Sequence, residues 1–287
     1  VMAAREGCTV TLFEKNEKLG KKVFITGKGR CNLTNACDVE DLFPAVKTNA
    51  KFLYSSFYGF TNQDVMDFFE ELGMRTKIER GERVFPLSDH SSNVIRTLEE
   101  EMKRLGVKIC LNTSVKKIEA KDGHFTGVVL SDGKKVSGDA CVVATGGISY
   151  PSTGSTGDGY RFAKELGLEV TDCLPSLVPM ETQEDWVPEL QGLSLRNVNA
   201  VIKDGKKKLY EDFGEMLFTH YGVSGPLMLS ASSVIGKKLK AHPLTLEIDL
   251  KPALSIEQLD QRVLRDFEEN HNRQFKNAIH KLFPAKL

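Results

Sequence analysis

The sequence predicts an α/β protein in which part of a strand–helix–strand unit is followed by a β-rich and then helical domain. Residues 1–7 are helix-forming and end at Gly7, and residues 8–14 form an apolar, β-rich run. Glu14 closes that run, and a helix, a glycine, a buried strand and an acid in this order are typical of the second half of a βαβ unit. From Val107 onward the hydrophobic period changes to two, which predicts a strand meander.

The same patterns assign the remaining elements. Helical spacing of apolar residues predicts helices over these ranges: 61–72, 91–105, 160–166, 256–267 and 275–283. Alternation or a continuously apolar run predicts strands over these ranges: 107–111, 115–120, 124–130, a short piece near 136, 140–144, 193–202, 208–210, 216–219 and 244–250. We also expect Ser224 to cap a helix that Pro226 starts. Prolines near residue 177 mark a boundary, so the predicted domains are 1–176 and 177–287.

Composition excludes several classes of protein. The 287 residues contain 40% hydrophobic and 27% charged residues, which is typical of a folded globular chain. Lys+Arg and Asp+Glu are equal at 39 each, so we expect no nucleic-acid partner that binds through the whole surface. The run Lys206–Lys208 is interpreted as a solvated hairpin tip. No apolar run is long enough to span a membrane, and the six scattered cysteines indicate a reducing cytoplasm. The sequence indicates no particular oligomeric state.

A loop rich in glycine and lysine, residues 18–35, is the first candidate site. Its glycines allow backbone N–H groups to approach a ligand closely or to form an anion-holding nest. Lys22 and Arg30 add positive charge suited to a pyrophosphate, and Asn32, Thr34 and Asn35 add uncharged hydrogen-bonding groups. The alternative is a flexible loop with solvated charges, but long loops in compact domains are usually functional.

Two further segments carry the chemistry of a ligand site. Residues 144–147, Ala-Thr-Gly-Gly, follow a predicted buried strand, and ligands of α/β sheets lie beyond the carboxyl ends of strands. Residues 156–159, Thr-Gly-Asp-Gly, open a predicted helix whose free N–H groups favour a polar or anionic ligand. Asp158 could equally be an N-cap only. Glu14 is placed to accept hydrogen bonds from both ribose hydroxyls of an adenine dinucleotide.

Hydrolytic and metal-dependent chemistry have no support in the sequence. Residues 222–226 lack the spacing of a nucleophile elbow, and the six histidines show no paired metal-ligand spacing. We therefore expect no metal site. His220 follows a predicted strand and is our candidate for a substrate-facing, catalytic role, although a structural histidine is the commoner case.

Taken together, these motifs resemble the bacterial aminoacetone oxidase-like flavoproteins, also called the BaiN or YhiN type. The Gly-Arg-Cys-Asn stretch at residues 29–32 is the most specific part, and the resemblance covers essentially the whole chain. The segments that carry it, in order, are 10–16, 19–22, 27–35, 83–86, 144–147, 156–159 and 219–226.

The resemblance implies a Rossmann-like FAD-binding domain, without its first strand and C-terminal segment, into which a β-barrel-like and helical domain is inserted. It implies noncovalent FAD and oxidation or reduction of a small organic substrate, with NAD(P) or oxygen as the second substrate. Glu14 would hold the adenosine ribose, and Val115 would meet the adenine through its backbone. The FAD-binding residues expected from the motifs and the resemblance are Glu14, Lys15, Lys22, Gly27, Gly29, Arg30, Cys31, Asn32, Thr34, Val115, Thr145, Gly146, Gly147 and Asp158.

Two other functions remain open at this point. Some relatives of this fold modify tRNA, so a tRNA-modifying flavoprotein is one alternative, which the neutral net charge disfavours. The other is a noncatalytic nucleotide-binding or interaction module derived from a flavoprotein. The resemblance itself favours a cytoplasmic, FAD-dependent oxidoreductase that transfers a hydride between its substrate and flavin N5.

Overall fold

The computed structural model describes residues 1–279, 282–284 and 286–287. The chain forms two compact units, Val1–Thr171 and Asp172–Leu287. The assignment of an FAD-binding domain to residues 1–176 and a substrate domain to 177–287 stays a prediction. Among the described residues, no helix is both long enough and apolar enough to cross a membrane.

The first unit combines seven α-helices, among its described residues, with eight short strands. Its helices are α1 (Met2–Arg5), α2 (Lys21–Ile25), α3 (Val39–Leu42), α4 (Tyr54–Gly59), α5 (Asn62–Glu71), α6 (Ser91–Arg104) and α7 (Asp158–Glu165). Its strands are β1 (Thr11–Phe13), β2 (Thr34–Asn35), β3 (Thr76–Glu79), β4 (Arg83–Pro86), β5 (Lys108–Cys110), β6 (Val115–Lys121), β7 (His124–Leu130) and β8 (Lys135–Ser137).

Three small sheets organise these strands. β1 and β5 pair in parallel, with Leu12 opposite Ile109. β2, β4 and β3 form an antiparallel sheet, and β6, β7 and β8 form a three-stranded meander. Two apolar clusters of four buried residues each lie in this unit, one around Cys31 and Val94 and one around Ile118. The unit therefore has no single large core, and short polar contacts hold much of its loop structure.

The second unit is built on one antiparallel sheet. Its strands are β9 (Met180–Glu181), β10 (Ser194–Asp204), β11 (Lys207–Phe218), β12 (Gly222–Ser224) and β13 (Thr245–Asp249), in the spatial order β13-β10-β11-β12-β9. Its helices are α8 (Pro226–Ala241), α9 (Ile256–Glu269) and α10 (Phe275–Ala278). The inward face of the sheet and one face of α8 bury a continuous cluster of fourteen residues, with Met228 and Ala200 fully buried. The mixed α/β class and the β-rich second half are confirmed.

Several predicted elements differ in the structure. The run 140–144 is not a strand, because no described strand lies beside it to complete a hydrogen-bonded ladder; Val142 is 89% exposed. Residues 208–210 and 216–218 of the two predicted strands belong to the single strand β11, because pairing with β10, with two register shifts, extends across the weak pattern between them; Thr219 follows its end. Ser224 is not the cap of α8: Gly225 occupies that position and no side chain caps the helix. The predicted helix 275–283 includes residues 280 and 281, which lie outside the described residues, and α10 ends at Ala278.

Candidate functional site

Glu14 stands directly after β1, where the parallel pair β1–β5 ends. Its backbone N–H donates to the Cys110 carbonyl at 2.9 Å. Its carboxylate oxygen Oε1 accepts two hydrogen bonds from Asn16, one from the backbone N–H and one from the side-chain amide, both at 2.8 Å. No described residue donates to the other oxygen, Oε2. The half-buried Glu14 carboxylate is thus fixed in orientation with one acceptor oxygen available to a ligand.

The start of β6 lies beside Glu14. The Thr113 N–H donates to the Glu14 carbonyl at 2.9 Å, and the Asn112 N–H donates to the Asn16 carbonyl at 3.0 Å. These two bonds join the chain after β5 to the chain after β1. Val115, the first residue of β6, follows two positions later and is half-buried. The structure therefore brings Val115 and Glu14 into one neighbourhood.

Lys15 connects this neighbourhood to the first turn of α7. Its Nζ lies 2.8 Å from the Asp158 Oδ2 atom and 2.6 Å from the Thr156 Oγ1 atom. The pKa of Asp158 is lowered, mainly by the hydrogen bond from Lys15, with help from Thr156 and Arg161. Asp158 makes no N-cap hydrogen bond; the cap position of α7 is Gly157. Lys15 and Asp158 neutralise one another, so their first effect is to hold the two segments together.

Close backbone approach explains two of the glycines here. A Cβ at Gly154 would lie 2.6 Å from the Asn16 amide nitrogen, and the residue has φ of +100°. A Cβ at Gly146 would lie 2.8 Å from the Ser155 hydroxyl, with φ of +72°. Asn16 also donates from its side chain to the Thr153 carbonyl at 3.2 Å. Glycine at 154 therefore lets the loop 145–157 approach Asn16, and glycine at 146 lets that loop fold back onto its own Ser155.

Lys22 reaches the same loop from α2. Its Nζ donates to the Ser149 carbonyl and lies 5.3 Å from the centroid of the Tyr150 ring. Residues 141–146, including Thr145, are exposed, and Gly147 is half-buried. Of the predicted site residues, the structure thus groups one set around Glu14: Glu14, Lys15, Lys22, Val115, Thr145, Gly146, Gly147 and Asp158.

Arg30 belongs to a second group, built against the β3–β4 hairpin. Its guanidinium donates to Asp89 at 2.7 Å and to Glu79 at 2.5 Å, and its Cζ lies 4.1 Å from the centroid of the Phe85 ring. The Lys77 Nζ atom lies 2.5 Å from Asp89 Oδ2 and 3.3 Å from Glu79 Oε1, so two cations and two carboxylates form one cluster. Arg30 lowers the pKa of Glu79, and the hydrogen bond from Lys77 is the main cause of the lowered pKa of Asp89. The prediction that Arg30 meets a pyrophosphate stays a prediction; in this structure two carboxylates already neutralise its charge.

The loop that Arg30 holds has an unusual backbone. Gly27, Lys28 and Cys31 have φ of +56°, +58° and +60°, in the left-handed region. A Cβ at Gly27 would lie 2.9 Å from the backbone nitrogen of Asn32. The Asn32 amide, turned so that its NH₂ faces the two acceptors, donates to the carbonyls of Val84 and Thr34 at 3.1 Å each. Gly27, Gly29, Arg30, Cys31, Asn32 and Thr34 therefore form one local structure.

Four residues that position these groups were not predicted. Asn16 orients Glu14, Ser149 accepts from Lys22, and Glu79 and Asp89 neutralise Arg30. Asn16 was the one with a usable signal, since a polar side chain two residues after an acid commonly bonds back to it in a turn. The other three depend on contacts that are distant in sequence.

His220 lies in the second unit, in the turn between β11 and β12. It is exposed, and its ring stands edge-to-face with that of Tyr221, with centroids 4.5 Å apart. The turn is fixed because the Thr219 N–H donates to the Gly222 carbonyl at 2.8 Å. No group of three or more His, Cys, Asp or Glu is placed to hold a metal ion anywhere in the described part of the chain.

A family model described as "HI0933-like protein Rossmann domain" matches residues 1–243. The chain belongs to this family. The match confirms the resemblance to BaiN- or YhiN-type flavoproteins and a Rossmann-like fold within residues 1–243. The family is one of flavoprotein-like oxidoreductases.

Three relatives show how the chain compares along its length. It is 29% identical over 279 residues to a 3-dehydro-bile acid delta(4,6)-reductase of Clostridium scindens, covering 97% of this chain and 67% of the relative. It is 28% identical over 291 residues to a ribosomal RNA dihydrouridine synthase of Haemophilus influenzae, covering 99% of this chain and 68% of that relative. A protein of the same name from Escherichia coli is 31% identical over 232 residues, covering 81% and 56%. The chain thus spans about two thirds of the first two relatives and 56% of the third.

Among solved structures, the chain is similar to an open flavocytochrome c3 fumarate reductase. The TM-score is 0.44 at 21% identity, over 68% of this chain and 44% of that one. Thermovibrio ammonificans THI4 is matched with a TM-score of 0.38 at 13% identity, over 81% of this chain and 72% of that one.

Proposed function

We propose that the protein is an FAD-dependent oxidoreductase that transfers a hydride between an organic substrate and flavin N5. The observation that carries the proposal is Glu14. Its carboxylate is half-buried at a strand end, one oxygen is fixed by Asn16, and the other has no partner among the described residues. This arrangement fits the ribose hydroxyls of an adenine dinucleotide, which an acid at this position accepts. Membership of a flavoprotein-like family supports FAD as that dinucleotide.

The other residues around Glu14 fit the same cofactor. Val115 would meet the adenine with its backbone, because its strand starts beside Glu14. The exposed small residues Thr145 and Gly146 leave room for a bulky ligand against the backbone. The charges of Lys15 and Arg30 are already paired with acids, so we propose that these cations act by holding the ligand-facing loops rather than by direct contact.

The names of the relatives point to the kind of bond that is reduced. Bound FAD supplies hydride transfer at N5, while the protein supplies binding and orientation. The name of the bile acid relative denotes reduction of carbon–carbon double bonds beside a 3-oxo group, and dihydrouridine is uridine whose ring double bond, conjugated to a carbonyl, is reduced. We therefore propose a carbonyl-conjugated carbon–carbon double bond as the substrate group. Reduced FAD, held by Glu14 and the residues grouped around it, would supply the hydride that such a bond takes at its β-carbon; the α-carbon would take a proton, and a two-electron donor such as NAD(P)H would restore the reduced cofactor.

A second candidate function is the same reduction on a different substrate, in which the conjugated double bond belongs to RNA. Two relatives, at 28% and 31% identity, are named for a reaction on ribosomal RNA, so a uridine in RNA is the alternative to a free small molecule. In either case His220, exposed on a fixed turn, is the side chain that we propose to face the substrate. A noncatalytic module that binds the nucleotide without turnover is the remaining alternative.

The first test is the visible spectrum of the protein expressed from its gene. Bands near ~370 and ~450 nm, with FAD released on denaturation, are expected. Glu14→Ala should weaken FAD binding by about 10- to 100-fold, because it removes hydrogen bonds to a charged acceptor. Glu6→Ala, at an exposed acid just after α1, is the matched control and should leave binding unchanged. A protein that stays colourless with added FAD would exclude the oxidoreductase and favour a module that does not use flavin.

A further inference from the structure

One end of the second unit gathers lysines from the β10–β11 hairpin and from α8. β10 ends at Asp204, and the tip of the β10–β11 hairpin carries Lys206, Lys207 and Lys208, all exposed. β13 begins at Thr245, which pairs with Lys203, so its start lies at the same end of the sheet. The last turn of α8 adds Lys237, Lys238 and Lys240, also exposed.

Asp204 fixes the hairpin tip against the end of α8. Its Oδ1 lies 2.9 Å from the His242 Nε2 atom, and its Oδ2 lies 3.4 Å from the Lys238 Nζ atom. These contacts bring the hairpin tip beside the end of α8. We call these two segments together the lysine end, after the exposed lysines that they carry: Lys206, Lys207, Lys237, Lys238 and Lys240. Lys203 and Lys208, which pair across β10 and β11, lie on the opposite face of the sheet from Asp204 and α8 and are not part of it.

The acids around the lysine end neutralise only part of its charge. Two of its lysines have carboxylate partners: Lys238 with Asp204 and Lys240 with Asp172. Lys206, Lys207 and Lys237 have no ion pair with any described residue. A net charge of zero for the chain therefore conceals a local positive surface.

Structural needs account for only some of these lysines. Cations in the last turn of a helix are stabilised by its dipole, which explains lysine at the end of α8. That effect does not extend to Lys206 and Lys207, which follow the hairpin turn and bury nothing. Like charges held close together repel one another, so their clustering lowers stability unless an anion is bound.

We propose that the lysine end binds the phosphate backbone of RNA. This inference rests on the RNA alternative of the proposed function and gives that substrate a place to bind. Lysine ammonium groups contact phosphates without reading base sequence, which suits a surface that holds a folded RNA. An anionic membrane fits less well, because the hairpin tip Gly205–Lys208 carries no apolar side chain to insert.

The test is RNA binding by a variant in which the three unpaired lysines are reversed: Lys206→Glu, Lys207→Glu and Lys237→Glu. The probe is a fluorescein-labelled RNA hairpin with a uridine-rich loop, and binding to the FAD-supplemented protein is followed by anisotropy across a range of KCl concentrations. Affinity at about 0.1 M KCl should fall about 10-fold or more, and the slope of log K against log[KCl] should decrease in magnitude by about 2 to 3.

The matched control reverses three exposed lysines of the first unit: Lys117, Lys121 and Lys134. The change in net charge is the same, so affinity should change less than about 2-fold if the lysine end is the binding surface. Circular dichroism of both variants checks folding, and the milder Lys206→Ala/Lys207→Ala pair should lose affinity in the same direction. Equal losses in the two triple variants, or no loss in either, would overturn the inference.

Two further measurements separate this inference from the proposed function. Vesicles of phosphatidylglycerol and phosphatidylcholine replace RNA in a parallel assay, and lysine-dependent binding to vesicles but not to RNA would refute an RNA surface. The FAD spectrum of the triple variant should match that of the parent protein, since the lysine end is outside the residues grouped around Glu14. RNA binding that is lost while the spectrum is kept supports the inference, whereas a flavin-free protein that still binds RNA contradicts only the oxidoreductase.

Discussion

The two units of the chain are stabilised in different ways. The second unit buries fourteen apolar residues in one continuous cluster between its sheet and α8, and its two longest strands, β10 and β11, pair along most of their length. The first unit buries two clusters of four residues each, and charged or glycine-mediated contacts hold the loops between its small sheets. The difference follows the proposed function, because ligand-facing loops need irregular backbone that a regular apolar core cannot provide.

The largest expected effect comes from truncating a methionine in each unit. Met228 is fully buried in the large cluster, and Met74 is buried in a small one. Met228→Ala should lower the free energy of unfolding of the second unit by about 3–5 kcal/mol, whereas Met74→Ala should cost the first unit about 2–3 kcal/mol, because a small cluster relaxes more easily around a cavity. Hydrogen exchange, read peptide by peptide by mass spectrometry, assigns each loss to its unit.

A larger loss at Met74 than at Met228 would contradict the comparison. So would a loss of protection in both units from either variant, since that would mean that the two unfold as one cooperative body.

The regular parts of both units were predictable because their signals are local. The capping boxes at Thr61–Asp64 and Ser255–Gln258 mark the starts of α5 and α9, and both are formed in the structure. Period-two alternation predicted β7 with its observed bounds. The run 140–144 was predicted wrongly because an apolar strand pattern does not include the neighbour that a strand needs.

The second prediction concerns a buried acid of the first unit. Glu101 is 3% exposed and pairs with Arg104 and Arg5, and hydrogen bonds from these two arginines lower its pKa from 4.5 to about 2. A carboxylate with a lowered pKa stabilises the folded state fully above pH 4.5, and this contribution is lost as the pH falls toward 2. Glu101→Gln should therefore destabilise the first unit at pH 6 but make its stability less dependent on pH between 5 and 3.

The measurement is the urea concentration at which the first unit is half unfolded, in the parent protein and in Glu101→Gln, at pH 6 and at pH 3. Hydrogen exchange of peptides from α6 reports the unfolding of this unit. Glu100→Gln on the same helix is the control, because Glu100 is 70% exposed and only 3.9 Å from its partner Arg96. If the stability of the parent protein and that of Glu101→Gln fell by the same amount between pH 6 and pH 3, Glu101 would not be the acid that causes the pH dependence.

The third prediction tests whether charge pairing holds the loop 26–32. Arg30→Ala should leave the fold in place, raise hydrogen exchange in that loop and weaken FAD binding, because the loop loses its ion pairs to Glu79 and Asp89. Arg30→Lys should restore part of the effect, since lysine keeps the charge but not the two-pronged geometry. Arg83→Ala is the control: Arg83 lies 5.9 Å from the same Phe85 ring without an ion pair to a described acid. Unchanged FAD affinity in Arg30→Ala would remove Arg30 from the site.

The sequence indicated residue types for a candidate site but not their contacts. Glu14, the glycine loops and Arg30 have residue types that point to a nucleotide, so composition and spacing predict them as site residues. The pairing of Arg30 with Glu79 and Asp89 joins positions that are 49 and 59 residues apart, and no local pattern indicates such a contact. For this reason the sequence predicted contact with a pyrophosphate for Arg30, which stays a prediction, and did not predict the ion pairs that the structure shows.

The smallest expected effect comes from removing one helix cap in each unit. Thr61 accepts a hydrogen bond from the Asp64 N–H, and Ser255 accepts one from the Gln258 N–H; both belong to complete capping boxes. Thr61→Ala and Ser255→Ala should each cost about 1 kcal/mol, because each leaves one N–H of the first turn without its side-chain acceptor. Exchange should increase only in α5 for the first variant and only in α9 for the second. Thr61→Ala also removes a methyl group, so Thr61→Val, which loses the hydroxyl alone, is the matched partner of Ser255→Ala. A larger increase in α5 for both Thr61 variants would show that the first unit, with its small clusters, resists local unfolding less than the second.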